Sequence, residues 1–436
     1  MARIAILGSG MAGFGAAHRL HTEGVASTMY EKRSHHGGHT TSYKHESGFV
    51  FDEGPHISFT KIERIKTLLA ESVKQQYQEV RAYVNNYWKG HWIKHPAQRN
   101  LHGLPQELLM SILKDFIHAL HHKQDPINNY AEWLIASYGK TFAETFPMEY
   151  TIKYHTTPAS NMSTDWLGPR LYQPQLEEVL RGALYPSTAD VHYITDFRYP
   201  NFNGFISYLS MFEKQTDLKL EYALKGLDPK NKMMTFGNGA EVPYDHLISS
   251  VPLPELVPMI KGAPRDVVEA SRKLACSTAV VVSIGINRAD ITEAHWTYFY
   301  DRDIFFTRLS TPHMQSPNNV PTGCGSIQAE CYYSSKYRPL DRKPEDCIPP
   351  VIADLKKVGF LREEDKILFA DAKLVPYANV IFDLDRAASL KLVHGYLDDI
   401  QVHYCGRYGE WAYIWTDESF ISGEKAAQVV LDRMSS

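Results

Sequence analysis

The sequence predicts an α/β fold, in which a Rossmann-type domain is interleaved with a domain that contains a mixed sheet and a helical insertion. Three observations predict it: a strand, glycine turn and helix at the start of the 436-residue chain, helical patterns over residues 61–210, and short strand patterns beyond them. Because a single core stops growing near about 250–300 residues, we expect two domains that share a cleft.

The first element is an apolar strand that runs into a glycine turn and a helix. Ile4-Ala5-Ile6-Leu7 is followed by Gly8-Ser9-Gly10-Met11-Ala12-Gly13. Gly8 permits the sharp bend, Gly10 allows a pyrophosphate to approach the backbone, and Gly13 allows the helix to pack closely on the strand. The unpaired N–H groups of the helix N-terminus can then bind phosphates.

A second strand over residues 26–30 ends at Glu31, eighteen residues after Gly13. The Glu31 carboxylate can accept hydrogen bonds from the hydroxyls of an adenosine ribose. Strand, turn, helix and acid together form a complete dinucleotide-binding fingerprint. For the turn alone, the alternative is an ordinary glycine-rich turn without a ligand.

The next segment distinguishes a flavin from a nicotinamide cofactor. Lys32-Arg33 is followed by Gly37-Gly38-His39-Thr40 and then by Gly54-Pro55-His56-Ile57. An extended FAD requires a second glycine pair and a further loop, whereas a nicotinamide dehydrogenase does not. Here the chain resembles the flavin-dependent amine oxidase and protoporphyrinogen oxidase superfamily, and within it the UDP-galactopyranose mutase branch.

Residues 406–427 carry a second part of this resemblance. Gly406-Arg407 is followed by an aromatic strip and a helix with Ser-Gly near its start, as in the second FAD motif of the superfamily. Such a helix N-terminus stabilises negative charge on a reduced flavin ring. Asp417 and Ser419 are candidates for the start and cap of the helix. The alternative is a C-terminal amphipathic helix without a ligand.

The resemblance implies non-covalent FAD and a glutathione reductase-like form of the Rossmann domain. We find no covalent-linkage motif. The expected FAD-binding residues are Gly8, Gly10, Met11, Ala12, Gly13, Glu31, Lys32, Arg33, Gly37, Gly38, His39, Thr40, Gly54, Pro55, His56, Ala223, Gly406, Arg407, Glu418 and Ser419.

The order of the motifs along the chain gives the expected domain boundaries. Residues 1–60, 215–275 and 400–436 form a discontinuous FAD-binding domain. Residues 61–214 form the helical insertion and part of the substrate domain, and residues 276–399 form the substrate-domain sheet. Aromatic strands in that sheet are core by their pattern, and the resemblance implies that they line a substrate cavity.

A central block contains candidates for catalysis. Residues 150–155, Tyr-Thr-Ile-Lys-Tyr-His, precede Asp165, Trp166 and Arg170. They are similar to the Tyr-Thr-x-Lys-x-Trp-Gly block of the mutase and protoporphyrinogen oxidase-like proteins, with His155 in place of the tryptophan. Because histidine titrates near neutrality, His155 is a candidate general acid or base.

The resemblance assigns four further candidates: Lys153, Arg308, His56 and Tyr377. Arg308 falls where the mutase branch has an arginine that reaches the substrate, and its fork suits a diphosphate or a carboxylate. His56 would lie beside the flavin ring, and Tyr377 in front of it. The alternative for Lys153, His155 and Arg308 is a structural set of ion pairs and hydrogen bonds.

Three functions follow from these candidates. The first is an FAD-dependent oxidoreductase that transfers a hydride between flavin N5 and a polar, sugar- or amine-derived molecule, with His155 as the base. The second is a UDP-galactopyranose mutase-like enzyme that uses reduced FAD as a nucleophile. The third is a catalytically silent flavoprotein. The absent tryptophan, and Ser249-Ser250-Val251-Pro252 in place of a Tyr-Thr-Gly block, oppose the second function.

Composition restricts the partners. The net charge is −4 and the basic residues are scattered, so we expect no nucleic-acid partner, and the apolar run at 278–286 is shorter than the roughly 20 residues that span a membrane. Five cysteines without Cys-x-x-Cys spacing predict free thiols and a cytoplasmic location. Histidine pairs such as His35-His36 and His121-His122 lie among polar residues, and we expect no metal. The expected partner is a small molecule, such as a sugar nucleotide, and the oligomeric state is left open.

Overall fold

The computed structural model describes residues 2–122, 126–168, 171–186 and 194–435. In chain order, its strands are β1 (Ile4–Leu7), β2 (Thr28–Tyr30), β3 (Ser42–Lys44), β4 (Val50–Asp52), β5 (Tyr77–Arg81), β6 (Val84–Trp88), β7 (His91–Lys94), β8 (Asp196–Pro200), β9 (Asp217–Lys219), β10 (Leu224–Asp228), β11 (Met233–Phe236), β12 (Glu241–Pro243), β13 (His246–Ser249), β14 (Cys276–Ile286), β15 (Trp296–Phe299), β16 (Arg308–Ser310), β17 (Gly325–Tyr333), β18 (Ile367–Val380) and β19 (Val402–Tyr404).

The helices are numbered in the same way. They are α1 (Met11–Thr22), α2 (Glu63–Ser72), α3 (Gln106–His121), α4 (Tyr130–Tyr138), α5 (Lys140–Thr145), α6 (Pro147–Tyr154), α7 (Leu176–Leu184), α8 (Leu253–Leu256), α9 (Arg265–Lys273), α10 (Pro312–Gln315), α11 (Ile348–Lys357), α12 (Arg386–Asp399), α13 (Gly406–Gly409) and α14 (Thr416–Ser435). None of these described helices is long and apolar enough to cross a membrane.

The first sheet is five-stranded and parallel, in the order β19-β13-β1-β2-β9. Its strands come from three separate stretches of the chain. Every residue of β1 is buried, as expected for a central parallel strand that is covered on both faces. This sheet confirms the predicted α/β fold with a Rossmann-like domain.

Helices α1 and α14 cross at very short range beside this sheet. A Cβ atom on Gly15 would lie 2.0 Å from the Phe420 carbonyl oxygen, and one on Gly423 would lie 1.8 Å from the Ala12 carbonyl oxygen. The two glycines therefore permit a backbone contact that no other residue type allows. This contact joins the C-terminal helix to the helix that follows the first glycine turn.

The second large sheet has seven strands in the order β18-β14-β17-β16-β15-β6-β7. It is antiparallel except where β6 runs parallel to β15. Strands β5 to β8 lie in the segment that the sequence analysis interpreted as mainly helical. Lys89 and Gly90, both at positive φ, form the tight two-residue turn between β6 and β7, in which Trp88 pairs with His91.

Helices α3 to α6 form the insertion beside this sheet. Their apolar faces meet around Phe116, Leu134, Phe142 and Phe146, all of which are buried. Helix α6 begins at Pro147, a favoured first-turn position for proline, and its last turn packs against the seven-stranded sheet. The insertion thereby brings the central sequence block to the face of that sheet.

Candidate active site

The first glycine turn has the geometry that its sequence predicts. Gly8 has a φ of +95°, and a Cβ atom on Gly13 would lie 2.0 Å from the Gly8 carbonyl oxygen. Gly10 precedes α1 without a side-chain cap, so the N–H groups of its first turn are available to a ligand. Met11 and Ala12 form the buried start of this helix.

The second glycine pair lies directly against this turn. The Gly37 N–H donates to the Ser9 carbonyl oxygen at 2.9 Å, and a Cβ atom on Gly38 would lie 3.1 Å from the Gly10 Cα. The Thr40 hydroxyl donates to the Gly37 carbonyl oxygen at 2.7 Å and fixes the loop. The structure thus brings together two motifs that are separate in sequence, since Gly37 follows Gly13 by 24 residues.

Glu31 follows β2 and closes the other side of the turn. Its buried carboxylate accepts hydrogen bonds from the Ser9 N–H and hydroxyl, at 3.0 and 2.7 Å, and from the Arg33 N–H at 2.9 Å. Ala223 is joined to the same region, because the neighbouring Tyr222 N–H donates to the Glu31 carbonyl oxygen at 2.8 Å. Lys32 instead pairs with Glu255 of α8 at 3.0 Å and stays outside this group of contacts.

Glu53 is a site residue that the sequence analysis did not select. Its carboxylate accepts two hydrogen bonds from Arg33, at 2.8 and 3.1 Å, and one from the Tyr43 hydroxyl at 2.7 Å, and it lies 2.9 Å from His39 Nδ1. Burial opposes its ionisation, but the hydrogen bonds from His39 and Arg33 lower the Glu53 pKa to about 2. Glu53 therefore organises the predicted residues Arg33 and His39 around one negative charge.

The Gly54-Pro55-His56 segment continues from Glu53. Gly54 has a φ of +89°, with open space where its Cβ would be. His56 Nδ1 lies 2.9 Å from the Gly54 carbonyl oxygen, which can only accept, so Nδ1 carries the proton. Burial lowers the pKa of His56 to about 4, and His56 is therefore neutral near pH 7.

The C-terminal motif reaches the same place from the other side. Gly406 has a φ of +74°, and its Cβ would lie 2.7 Å from the Ala12 Cβ of α1. Arg407 donates to the carbonyl oxygens of Ile414 and Ala378. These partners, and the Asn379 side-chain oxygen, are neutral, so within the described chain the Arg407 charge is free to pair with an anion.

Helix α14 begins at Thr416, and its first turn has a side-chain contact that differs from the expected one. The Glu418 carboxylate accepts a hydrogen bond from the Trp415 N–H at 2.8 Å, in the manner of the acid in a capping box. Asp417 lies inside the first turn instead of capping it. The Ser419 N–H donates to the Trp415 carbonyl oxygen as part of the helix.

A cluster of five tyrosines lies where α6 meets the seven-stranded sheet; we call Tyr150, Tyr154, Tyr298, Tyr332 and Tyr413 the tyrosine cluster. The Tyr154 and Tyr413 hydroxyls are 2.9 Å apart, and the rings of Tyr150 and Tyr298 are 5.5 Å apart. Burial raises the pKa of Tyr150, Tyr154, Tyr298 and Tyr332. These hydroxyls therefore stay protonated and can donate hydrogen bonds at neutral pH.

Arg308 lies within the tyrosine cluster. It pairs with Glu330 directly across the β16–β17 ladder, and its Nη2 donates to Glu330 Oε1 at 2.9 Å. The Tyr332 hydroxyl donates to the same carboxylate at 2.7 Å. The Arg308 side chain is 22% exposed although it lies between α6 and the sheet, and Tyr150 and Tyr298 are also partly exposed. These partly exposed side chains mark the region that we call the cleft.

Lys153 and His155 lie beside this cleft, but both side chains are buried. Lys153 Nζ donates to the carbonyl oxygens of Asp301 and Ile304, at 2.7 and 3.0 Å, and burial lowers its pKa to about 7. His155 is 4% exposed, packs against Trp166, and burial lowers its pKa to about 3. Such an imidazole is a weak base at neutral pH. Arg170 lies outside the described residues.

Tyr377 of β18 lies on the Arg407 side of the cleft. Its ring centre is 5.7 Å from that of Tyr408, whose hydroxyl donates to the Tyr377 carbonyl oxygen. Within the described ranges, no three His, Cys, Asp or Glu side chains are placed to share a metal ion, and all five cysteines are free thiols.

Comparison with known proteins agrees with this arrangement. Residues 6–72 match the family of NAD(P)-binding Rossmann-like domains. The structure is similar to that of reduced UDP-galactopyranose mutase, with a TM-score of 0.93 and 27% identity over 99% of this chain and 96% of the other.

Two further structures are similar at the level of the fold. A protein assigned as a protoporphyrinogen oxidase, from Exiguobacterium sp. 255-15, has a TM-score of 0.76 and 15% identity, covering 98% of each chain. A putrescine oxidase with redesigned cofactor binding has a TM-score of 0.67 and 14% identity, covering 99% of each chain. These matches point to a flavin cofactor and support a flavin-dependent enzyme, and the chain has the fold of these proteins over nearly its whole length.

Proposed function

We propose that this chain is an FAD-dependent mutase that isomerises the hexose of a nucleoside diphosphate sugar and works with reduced flavin. The observation that carries the proposal is the similarity to UDP-galactopyranose mutase, at 27% identity over 99% of the chain. The aligned part of the chain includes both large sheets and the helical insertion. The substrate would be a sugar nucleotide, with UDP-galactopyranose as the first compound to test.

The glycine turns fit an FAD molecule that is held without a covalent bond. The start of α1 and the Gly37–Gly38 loop would hold the pyrophosphate, and Glu31 the adenosine ribose. Arg407, with only neutral partners in the described chain, suits an anionic part of the cofactor. When bound, FAD supplies a flavin N5 atom that can act as a nucleophile or as a hydride acceptor.

The cleft supports a substrate that carries many hydroxyls and a diphosphate. Tyrosine hydroxyls that remain protonated can donate to sugar and phosphate oxygens, and Arg308 presents a planar fork that lysine cannot reproduce. Glu330 holds this fork in one orientation.

The weak bases around the cleft favour the mutase over an oxidoreductase. Removal of a hydride from a carbon that carries a hydroxyl requires a group that takes the hydroxyl proton. The pKa values of His56 and His155 are lowered to about 4 and about 3, so both are weak bases. Burial lowers the pKa of Lys153 to about 7, but its Nζ is held by the carbonyl oxygens of Asp301 and Ile304 and is directed away from a substrate. The oxidoreductase is the alternative that the following experiment distinguishes.

The test compares oxidised and dithionite-reduced enzyme under anaerobic conditions. Protein loaded with FAD is incubated with UDP-galactopyranose and related sugar nucleotides, and the products are separated by ion-pair chromatography. We expect an isomerised sugar nucleotide from the reduced enzyme only, without net consumption of an electron acceptor. Bleaching of the oxidised flavin by one of the compounds would instead establish an oxidoreductase.

Two variants connect this activity to the cleft. Arg308→Lys keeps the charge but loses the fork, and we expect its turnover to fall about 10-fold or more while FAD remains bound. Arg302→Lys changes an exposed arginine that pairs with Glu149 at the surface, and its turnover should stay near that of the wild type. Equal turnover of wild type and Arg308→Lys would remove Arg308 from the proposal. Protein that stays colourless after incubation with FAD would refute the cofactor itself.

A further inference from the structure

We propose that β18 is a dimerisation strand, which pairs antiparallel with β18 of a second copy of this chain. The proposal is independent of the proposed function. It rests on the free edge of β18, on the apolar side chains beside that edge, and on the self-complementary charges of Asp371 and Lys373.

The first observation is a long free edge. β18 runs from Ile367 to Val380 and is the last strand of the seven-stranded sheet, with β14 as its neighbour on one side. In the described part of the chain, no strand lies along the other side. Near its end, the Tyr377 and Ala378 carbonyl oxygens accept hydrogen bonds from Tyr408 and Arg407. Over residues 369–375, half of the backbone N–H and C=O groups are directed away from β14, as at any sheet edge, and can pair with another strand.

The second observation is the exposure of apolar side chains on this edge. Leu368 and Leu374 are 48% and 45% exposed, and Ala370 between them is exposed as well. Ala370 and Leu374 lie on the sheet face that contains Ala372, which is buried against the core under α11, whereas Leu368 lies at a register shift near the start of the strand. A second strand at the edge would extend that core and cover these side chains.

The third observation is the charge pattern, which selects one register. Asp371 and Lys373 are two residues apart on the opposite face and are partly exposed, at 35% and 38%. If two copies pair antiparallel about Ala372, Asp371 of each copy lies opposite Lys373 of the other. A shift of two residues in either direction would place Asp371 opposite Asp371, or Lys373 opposite Lys373, and like charges in those positions are destabilising.

The same register also suits the apolar face. It places Ala370 of each copy opposite Leu374 of the other, so a small side chain meets a large one. Paired residues extend from 369 to 375, and Pro376, which lacks an N–H group, lies just beyond them. Because this strip is short, we expect a dimer that dissociates on dilution in the micromolar range.

The main test uses two charge variants, alone and mixed. Asp371→Lys gives a strand with two positive charges, and Lys373→Asp gives one with two negative charges. Each should be monomeric where the wild type is dimeric, in sedimentation velocity at about 1 to 100 µM. An equimolar mixture should recover the dimer, because every charge then meets an opposite charge across the interface. The ion pair within each chain is broken in both variants, so it cannot explain the recovery.

The control is Arg265→Asp, which makes the same change of charge at a residue of α9 whose side chain is 93% exposed. It should leave the dimer intact. Circular dichroism verifies that each variant is folded, and hydrogen exchange gives a second measurement. Amides in residues 369–375 should exchange more slowly in concentrated wild type than in concentrated Lys373→Asp protein.

Three results would each contradict the proposal. The wild type could be monomeric throughout the concentration range, the single variants could dimerise as well as the wild type, or the mixture could remain monomeric. Unchanged exchange of residues 369–375 at high concentration would likewise show that another surface forms the dimer.

Discussion

At the scale of single residues, the sequence and the structure suggest different roles for His155. Its replacement of a tryptophan suggested a base, yet burial lowers its pKa to about 3, so only about 1% of it is charged at pH 5. We therefore expect His155→Asn to keep the inflections of the wild-type profile of log kcat/KM between pH 5 and 9. Loss of an inflection near pH 6 to 7 in the variant would show that His155 titrates during turnover.

The glycines of the site were predictable from sequence, whereas the ionic and tyrosine contacts were not. Positive φ and close backbone approach restrict the positions of Gly8 and Gly37 to glycine, so the motif can be recognised in the sequence. The partner of Arg308 is different. Glu330 faces it only because β16 and β17 pair in a particular register, and no local pattern in the sequence specifies that register.

Among the elements, α1 and α14 depend on two glycines for their crossing. A Cβ atom on Gly423 would lie 1.8 Å from the Ala12 carbonyl oxygen, so Gly423→Ala must push the helices apart. We expect a loss of about 1–3 kcal/mol in the free energy of unfolding. The matched control is Gly395→Ala in α12, where the added methyl meets no atom within 4 Å.

That control should stabilise the protein by about 0.5–1 kcal/mol, because alanine is the better helix former. Urea titrations of both variants measure the two effects. If Gly423→Ala were as stable as Gly395→Ala, the helices would have to cross at a greater distance than in this structure.

The loop after β4 depends on the ionised form of Glu53. Burial opposes ionisation, but the hydrogen bonds from His39 and Arg33 lower the pKa from 4.5 in the unfolded chain to about 2. The folded state therefore gains stability above the unfolded pKa and loses it as the pH falls from about 4.5 to about 2. Glu53→Gln should destabilise the protein by about 3 kcal/mol at pH 7.

The difference between Glu53→Gln and wild type should be constant from pH 8 to pH 5.5 and fall to roughly 2 kcal/mol at pH 3.5. Urea unfolding across this range measures it. Glu46→Gln, at an exposed position of the same hairpin region, should have little effect at any pH. A difference that is independent of pH down to 3.5 would mean that packing, and not the charge, accounts for the effect of the variant.

Sequence patterns identified some elements better than others. Strands β1 and β2 and helix α1 were predicted because their apolar runs and glycines are local signals. Strands β6 and β7 were missed, because short alternating segments between helices resemble loops until they join a distant sheet. Their parallel pairing with β15, more than 200 residues later in the chain, is a tertiary property.

At the scale of the whole molecule, the chain passes repeatedly between the two large sheets. It contributes β1 and β2 to the parallel sheet, β6 and β7 to the seven-stranded sheet, β9 and β13 to the first again, β14 to β18 to the second, and finally β19 to the first. Neither sheet is formed by one continuous stretch. If one sheet unfolds, most of its strands remain connected through the chain, on both sides, to strands of the other sheet.

We expect thermal unfolding to be a single cooperative transition for this reason. Far-ultraviolet circular dichroism and tryptophan fluorescence should have the same midpoint, and FAD at about 100 times its Kd should raise both midpoints together, since it adds about 2.7 kcal/mol to the stability. The expected FAD-binding residues lie mainly around the parallel sheet. If the sheets unfolded independently, added FAD would raise only one of two separate transitions, and the repeated passage of the chain would not couple them.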